Sequence, residues 1–130
     1  MIILDTDVLI NLLDRKHSSK KSAILDRLNE HSDEEIVTTV INLEEFLYGV
    51  VKKDGFVDKS HPVFQVEVVP FLTNDATRAA ELEIQLEKLG KQKPRIDVII
   101  AYIALEHKSR IFTLNLNHFQ DIEGLSLIEI

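Results

Sequence analysis

The feature that most restricts the fold is an alternation along the chain. Short β-branched or apolar runs trade places with segments whose apolar residues recur at helical spacing. Residues 1–4 are apolar and lead to Asp5, and the segment 6–13 then carries Val8, Leu9, Leu12 and Leu13, so a buried strand feeds a helix. Ser18 and Ser19 are expected to cap a second helix reaching about Asn29, and residues 36–41 to form the second strand. Asn42 stands as an N-cap, with Glu45 in capping-box register, of a helix running to about Lys53. Residues 54–62 read as a loop and 64–69 as a third strand. Asn74 or Asp75 caps a helix from about Ala76 to Leu89 that Gly90 closes. A basic connector, 91–94, leads to a helix over 96–108, a strand over 111–114 and a last strand over 125–130. Tyr48 and Tyr102 fall at helical core spacing and are expected to pack. Such alternation predicts an α/β fold of three layers, a central mostly parallel sheet flanked by helices on both faces, as a single domain over 1–130.

Composition narrows the functional classes. With 130 residues, 45% of them apolar, and only four glycines and three prolines, the chain can bury an ordinary core. It has no cysteine, which excludes disulfides, thiol nucleophiles and thiolate metal sites and fits a reducing cytosol. The longest apolar run, residues 98–105, is far short of the roughly 18 residues of a membrane span. Asp5 and Asp7 stand where a signal peptide would be apolar, so a soluble, cytoplasmic protein is expected. The net charge of −7, from 15 basic and 22 acidic side chains, repels nucleic acid as a whole. Either the protein ignores nucleic acid, or its excess carboxylates gather at a cation site that reverses the local field.

The carboxylates favour the second reading. In open parallel sheets, sites form beyond the carboxyl ends of the strands, where the next helices begin. Asp5 ends the first strand, Glu45 follows the second, Asp97 opens a helix that is apolar almost all round, and Asn115 lies just past Thr113 at the end of the fourth. A charge in so apolar a helix as that of Asp97 is costly unless it is paired, hydrogen-bonded or bound to a cation. Several carboxylates brought together likewise need a counter-charge, and no lysine or arginine occupies an equivalent junction. All-oxygen donors favour Mg²⁺ or Mn²⁺ over zinc, and such an ion activates water and stabilises charge on a phosphoryl oxygen. The chemistry implied is phosphodiester hydrolysis.

At these residues the chain resembles the PIN-domain family, which includes the VapC toxins. Asp5 stands in LDTDVLI, Glu45 in EFLYG with a glycine four positions on, Asp97 in IDVIIAYIALEHK, and Thr113 and Asn115 in IFTLNLNHF. The resemblance runs through nearly the whole chain in the family's order. It implies a Mg²⁺- or Mn²⁺-dependent endoribonuclease with Asp5, Glu45, Asp97 and Asn115 as catalytic residues and Asp5, Glu45 and Asp97 as metal ligands. Asn115 stands where the family often has Asp, which weakens a second-metal site. Thr6 and Thr113 match hydroxyl positions that order water or phosphate, and Asp7 is a supporting candidate. The implied partners are RNA, a small antitoxin and a second copy in a homodimer, with no membrane. Residues 54–62 form a loop where many relatives have helix.

Plainer readings stand beside these. Asp5 could merely cap a helix, Glu45 could serve only Asn42, Asp97 could be a structural cap, and Asn115 a turn residue. Lys91, Lys93 and Arg95 could steer a phosphate backbone toward Asp97 or simply be solvated. His118 reads as a loop or packing histidine, and the five histidines form no ligand pair at helical spacing. Two rival functions follow. One is a catalytically silent PIN domain acting as a protein- or RNA-binding module; the other is a haloacid-dehalogenase-like phosphatase, suggested by the Asp-x-Asp of Asp5 and Asp7.

Overall fold

Ile2, Ile3 and Leu4 are almost wholly excluded from solvent, as three consecutive apolar residues must be when a strand is covered on both faces. They form β1 (Ile2–Leu4) in a computed structural model that describes residues 1–130 and every side chain except that of His17. The other strands are β2 (Ile36–Thr39), β3 (Glu67–Val69), β4 (Arg110–Phe112) and β5 (Ser126–Ile128). The helices are α1 (Thr6–Leu13), α2 (Lys21–Asn29), α3 (Val40–Asp54), α4 (Thr73–Lys88) and α5 (Arg95–Glu106). The sheet runs in the order β3-β2-β1-β4-β5, and each neighbouring pair is parallel.

Because strand side chains alternate, β1 feeds two cores. Ile3 joins Val37, Val69 and Ile111 against α4 and α5, while Ile2 and Leu4 join Phe112 against α1, α2 and α3. Helices therefore cover both faces, giving three layers around an all-parallel sheet. α5 buries Val98, Ile100, Ala101, Tyr102, Ile103 and Ala104, which is why its sequence is apolar nearly all round. No helix is long and apolar enough to cross a membrane.

Several boundaries differ from the sequence expectation, each for a local reason. β2 stops at Thr39, whose hydroxyl caps α3 by accepting from the Asn42 amide N–H at 3.1 Å. Asn42 is thus the third residue of the helix rather than its cap, and Glu45 the sixth. α2 begins at Lys21 behind Lys20, not behind a serine cap, since Ser18 closes a 3₁₀ turn and donates to the Arg15 carbonyl. Pro62 opens another 3₁₀ turn, Pro62–Gln65, with the His61 ring accepting from the Val63 N–H, so β3 is delayed to Glu67. α4 starts at Thr73, and Asp75 reaches back to accept from the Leu72 N–H at 2.8 Å. Gly90 does close it, at φ +70°, with the Lys91 N–H donating to the Leu86 carbonyl. Tyr102 packs edge-on to Phe71, but Tyr48 is 62% exposed on α3, with the Lys52 ammonium over its ring.

Candidate active site

All five strands run the same way, so their carboxyl ends and the helix starts that follow share one rim. Asp5 leaves β1 there and is the N-cap of α1. Its Oδ1 accepts from the Thr6 N–H at 3.0 Å and from the Asn42 amide at 2.8 Å, and its Oδ2 accepts from the Thr113 hydroxyl at 2.8 Å. At 6% exposure the carboxylate is fixed by three donors from three segments, which leaves part of its acceptor capacity free.

Asn42 organises this corner. It is fully buried, its side-chain oxygen accepts from the Thr39 hydroxyl at 2.7 Å, and its amide donates to both Asp5 and the Thr6 hydroxyl. Thr6 in turn donates to Glu45 Oε1 at 2.8 Å. A continuous chain of hydrogen bonds therefore joins the cap of α3 to two of the acidic residues. The capping-box reading of Asn42 concealed this role; its place one helical turn past a strand end was the available signal.

Asp97 is the third residue of α5, and its side chain is 13% exposed. Burial pushes its carboxyl above the usual range; His118 pulls it down, the charge of Asp5 adds to the rise, and Lys93 opposes it. Glu45 is also raised, first by burial, against the Thr6 hydrogen bond and with the charges of Asp5, Asp97 and Glu44 adding. Asp7 is raised by burial and then by Asp5, although it accepts from the Leu114 N–H at 3.2 Å. The other oxygen of Asp7, Oδ1, is buried without a hydrogen-bond partner. Asp5, Glu45 and Asp97 are thus within electrostatic reach of one another.

The remaining candidates are placed unevenly. Thr113 is fully buried and bridges the Asp5 carboxylate to the Asn115 N–H, which donates to its hydroxyl at 3.0 Å. The Asn115 side chain lies against the His118 ring, 2.9 Å from Nε2. His118 lies in the loop after β4 with its ring against Phe119, as a loop or packing histidine would, but its Nδ1 is also 4.0 Å from Asp97 Oδ1, which brings it to the rim. The legible clue was topological: a loop after a strand's carboxyl end must lie at the same rim. Lys93 donates to the Asn117 carbonyl at 3.0 Å and bears on Asp97. Arg95 turns away to Glu83, and Lys91 is exposed.

Among the described residues, no three acidic or imidazole groups already stand close enough to hold a metal ion. The donor chemistry nevertheless fits a hard divalent cation. Among the described residues no lysine or arginine forms an ion pair with Asp5, Asp7, Glu45 or Asp97. An acidic cluster without such a partner carries mutual repulsion that a cation relieves.

The PIN domain family profile matches residues 2–125, and the chain belongs to that family. It is a family in which nuclease activity is typical, and the phosphatase alternative is set aside. No curated protein sequence matches the chain. Among solved structures, the chain is similar to one in VapBC2 from Rickettsia felis bound to a DNA fragment from its promoter. The identity is 24%, the TM-score 0.76, and the match covers 100% of this chain and 99% of that one. It is also similar to a chain of DNA-bound VapBC from Salmonella typhimurium, with 22% identity, TM-score 0.76 and coverage of 98% and 96%. A toxin–antitoxin complex from Klebsiella pneumoniae matches with 20% identity, TM-score 0.72 and coverage of 100% of both chains.

Proposed function

We propose that the protein is a Mg²⁺- or Mn²⁺-dependent endoribonuclease, the toxin of a VapC-like toxin–antitoxin pair. The observation that carries this reading is the hydrogen-bonded relay in which buried Asn42 holds Asp5 and Thr6, and Thr6 holds Glu45, with the partly buried Asp97 in the first turn of α5 bearing on both acids. Asp5, Asp97 and Glu45 would hold the ion, which lowers the pKa of water and stabilises charge on a phosphoryl oxygen. Asn42, Thr6 and Thr113 fix the directions of Asp5 and Glu45. Thr113 also orients the Asn115 backbone, and Lys93, with Lys91, draws the RNA backbone toward Asp97. Arg95 contributes less, being held by Glu83.

The likeness to chains found in toxin–antitoxin complexes supports an antitoxin as partner, and a second copy of this chain is proposed from the family resemblance alone. We place the protein in the cytoplasm, where its substrate is. A second reading, a catalytically silent PIN module, draws on the absence of a ready three-ligand cage among the described residues.

Cleavage of a panel of structured RNAs, with Mg²⁺, Mn²⁺ or EDTA, separates the two. Cleavage is expected with either ion and none in EDTA. Asp5→Asn and Asp97→Asn should lose at least about 100-fold, since loss of an outer partner to a metal ligand alone costs about 10–100-fold. Activity that survives both EDTA and Asp5→Asn would reject the mechanism. RNA binding without cleavage under any ion would favour the silent module.

A further inference from the structure

Three candidates stand out beyond the acidic residues themselves. The apolar row on α3, with Val40, Tyr48 and Val51 exposed, and the groove between α4 and α5 beside Phe71 and Ile99 have nothing seated on them that identifies an occupant. His118 carries further, because its two ring nitrogens have separate and defined neighbours.

The loop after β4 brings His118 to the rim, and its ring meets the buried Phe119 ring nearly at right angles, 6.2 Å between centroids. On one side, Nε2 lies 2.9 Å from Asn115 Nδ2, and the oxygen of that amide takes this place when the group makes a half-turn. A primary amide can present its oxygen or its nitrogen by a half-turn, so it can fix the ring's single proton on Nε2. On the other side, Nδ1 faces Asp97 Oδ1 at 4.0 Å, too far for a hydrogen bond. With the amide turned and the proton on Nε2, the two atoms of this 4.0 Å approach are an Nδ1 lone pair and a carboxylate oxygen, both donors to a cation. Two donors bound to one ion at about 2.1 Å each stand roughly 3 Å apart as neighbours and roughly 4 Å apart across the ion. A ring whose far nitrogen is held by an amide oxygen is also the usual setting of a metal-ligating histidine.

We infer that His118 Nδ1 is a nitrogen ligand beside Asp97, oriented by Asn115, and that it tilts the site toward Mn²⁺ over Mg²⁺. The inference rests on the metal-dependent reading above and changes its donor set from oxygen alone to oxygen plus imidazole. Imidazole adds to the affinity of Mn²⁺ and later transition ions, whereas Mg²⁺ gains little from nitrogen. Asn115 thereby acts through His118, as a positioning residue, rather than by binding the ion itself.

The test uses the metal-stripped full chain with Mn²⁺ alone as probe. Electron paramagnetic resonance counts free Mn²⁺ in a titration, and pulsed measurement detects ¹⁴N coupled to the bound ion. The wild type should bind Mn²⁺ with a ¹⁴N signature that vanishes in His118→Ala and His118→Gln. Both variants should weaken Mn²⁺ binding about tenfold while Mg²⁺ competition changes less than about twofold. His118 is half exposed, so neither variant threatens the fold, which circular dichroism checks. Mn²⁺ bound without a ¹⁴N signature, or with unchanged affinity in both variants, overturns the ligand assignment and leaves the nuclease reading standing. Failure of the wild type to bind Mn²⁺ any better than Asp5→Asn overturns both.

Discussion

At the scale of single residues, the site is held together by one amide and burdened by one carboxylate. Asn42 satisfies Asp5, Thr6 and Thr39 at once in a fully buried position. Asn42→Ala leaves three polar groups short of a partner and should cost about 2–3 kcal/mol in denaturant unfolding. Asn42→Asp should be worse at neutral pH, because it replaces a donor to Asp5 by a second acceptor; an effect within 0.5 kcal/mol, roughly the scatter of surface changes, would deny Asn42 this role. Asp97 works in the opposite sense. Its folded-state carboxyl is raised, chiefly by burial, so the folded protein holds that proton more tightly than the unfolded chain. Ionisation therefore costs stability above the raised value, and the cost disappears as pH falls below the ordinary carboxylate range. In EDTA, Asp97→Asn should raise Tm at pH 7 by a few degrees and lose that advantage near pH 4. With saturating Mn²⁺ the order should reverse, because only the wild type gains from binding. A variant less stable than wild type in EDTA at pH 7 would mean that Asp97 is a structural cap after all.

At the scale of elements, α4 shows how a helix start is tied to the layer it packs on. Asp75 uses both oxygens, Oδ2 for the Leu72 N–H and Oδ1 for the Tyr102 hydroxyl on α5. Those bonds, the Leu72 one first, hold its carboxyl below the usual range. A lowered carboxyl contributes stability above its unfolded value and forfeits it as pH falls through the folded one. Asp75→Asn, which has a single acceptor oxygen, should thus be less stable than wild type at pH 7, with the gap closing on acidification. Parallel thermal melts across pH 3–7 check this, and a constant gap would contradict it. Asp75 also marks what the sequence could tell. Its acidic first-turn position was legible as helix entry, as were all five strands, because period and β-branching decide them. Boundaries were not, since they turn on which neighbour supplies a cap: Thr39 displaced Asn42, and Pro62 shortened β3. Asp5 and Glu45 were readable as rim candidates because parallel strands bring their carboxyl ends together, whereas Asp97 follows α4 and no strand, and was singled out by its charge in an otherwise apolar helix. The Asn42 network was not legible, because hydrogen-bond partners 36 to 39 residues apart, those joining Asn42 to Asp5 and Thr6 and Thr6 to Glu45, leave no periodic trace, and His118 was readable only through its place in the loop after β4.

For the whole molecule, the question is how a chain of net charge −7 approaches a polyanion. Most of its basic side chains are spread over a surface with more acids than bases, so long-range steering is unfavourable. Attraction has to be local, and in the proposed reading it would come from a divalent ion held at the rim and from the connector before α5. There Lys93 bears on Asp97 while Arg95 is committed to both oxygens of Glu83, at 3.0 and 3.2 Å. Each phosphate neutralised on a single strand contributes about −0.7 to the slope of log affinity against log salt. With two effective lysines, Lys91 and Lys93, the slope for kcat/KM at subsaturating RNA and fixed Mn²⁺ should be about −1.4. Lys93→Ala should flatten it by about 0.7, and Arg95→Ala should leave it nearly unchanged. A basic face elsewhere on the molecule would give a much steeper slope that is indifferent to Lys93. Such a result would move RNA recognition away from the connector while leaving the chemistry at the acidic rim, because salt dependence reports where phosphates are neutralised and not where one is cut.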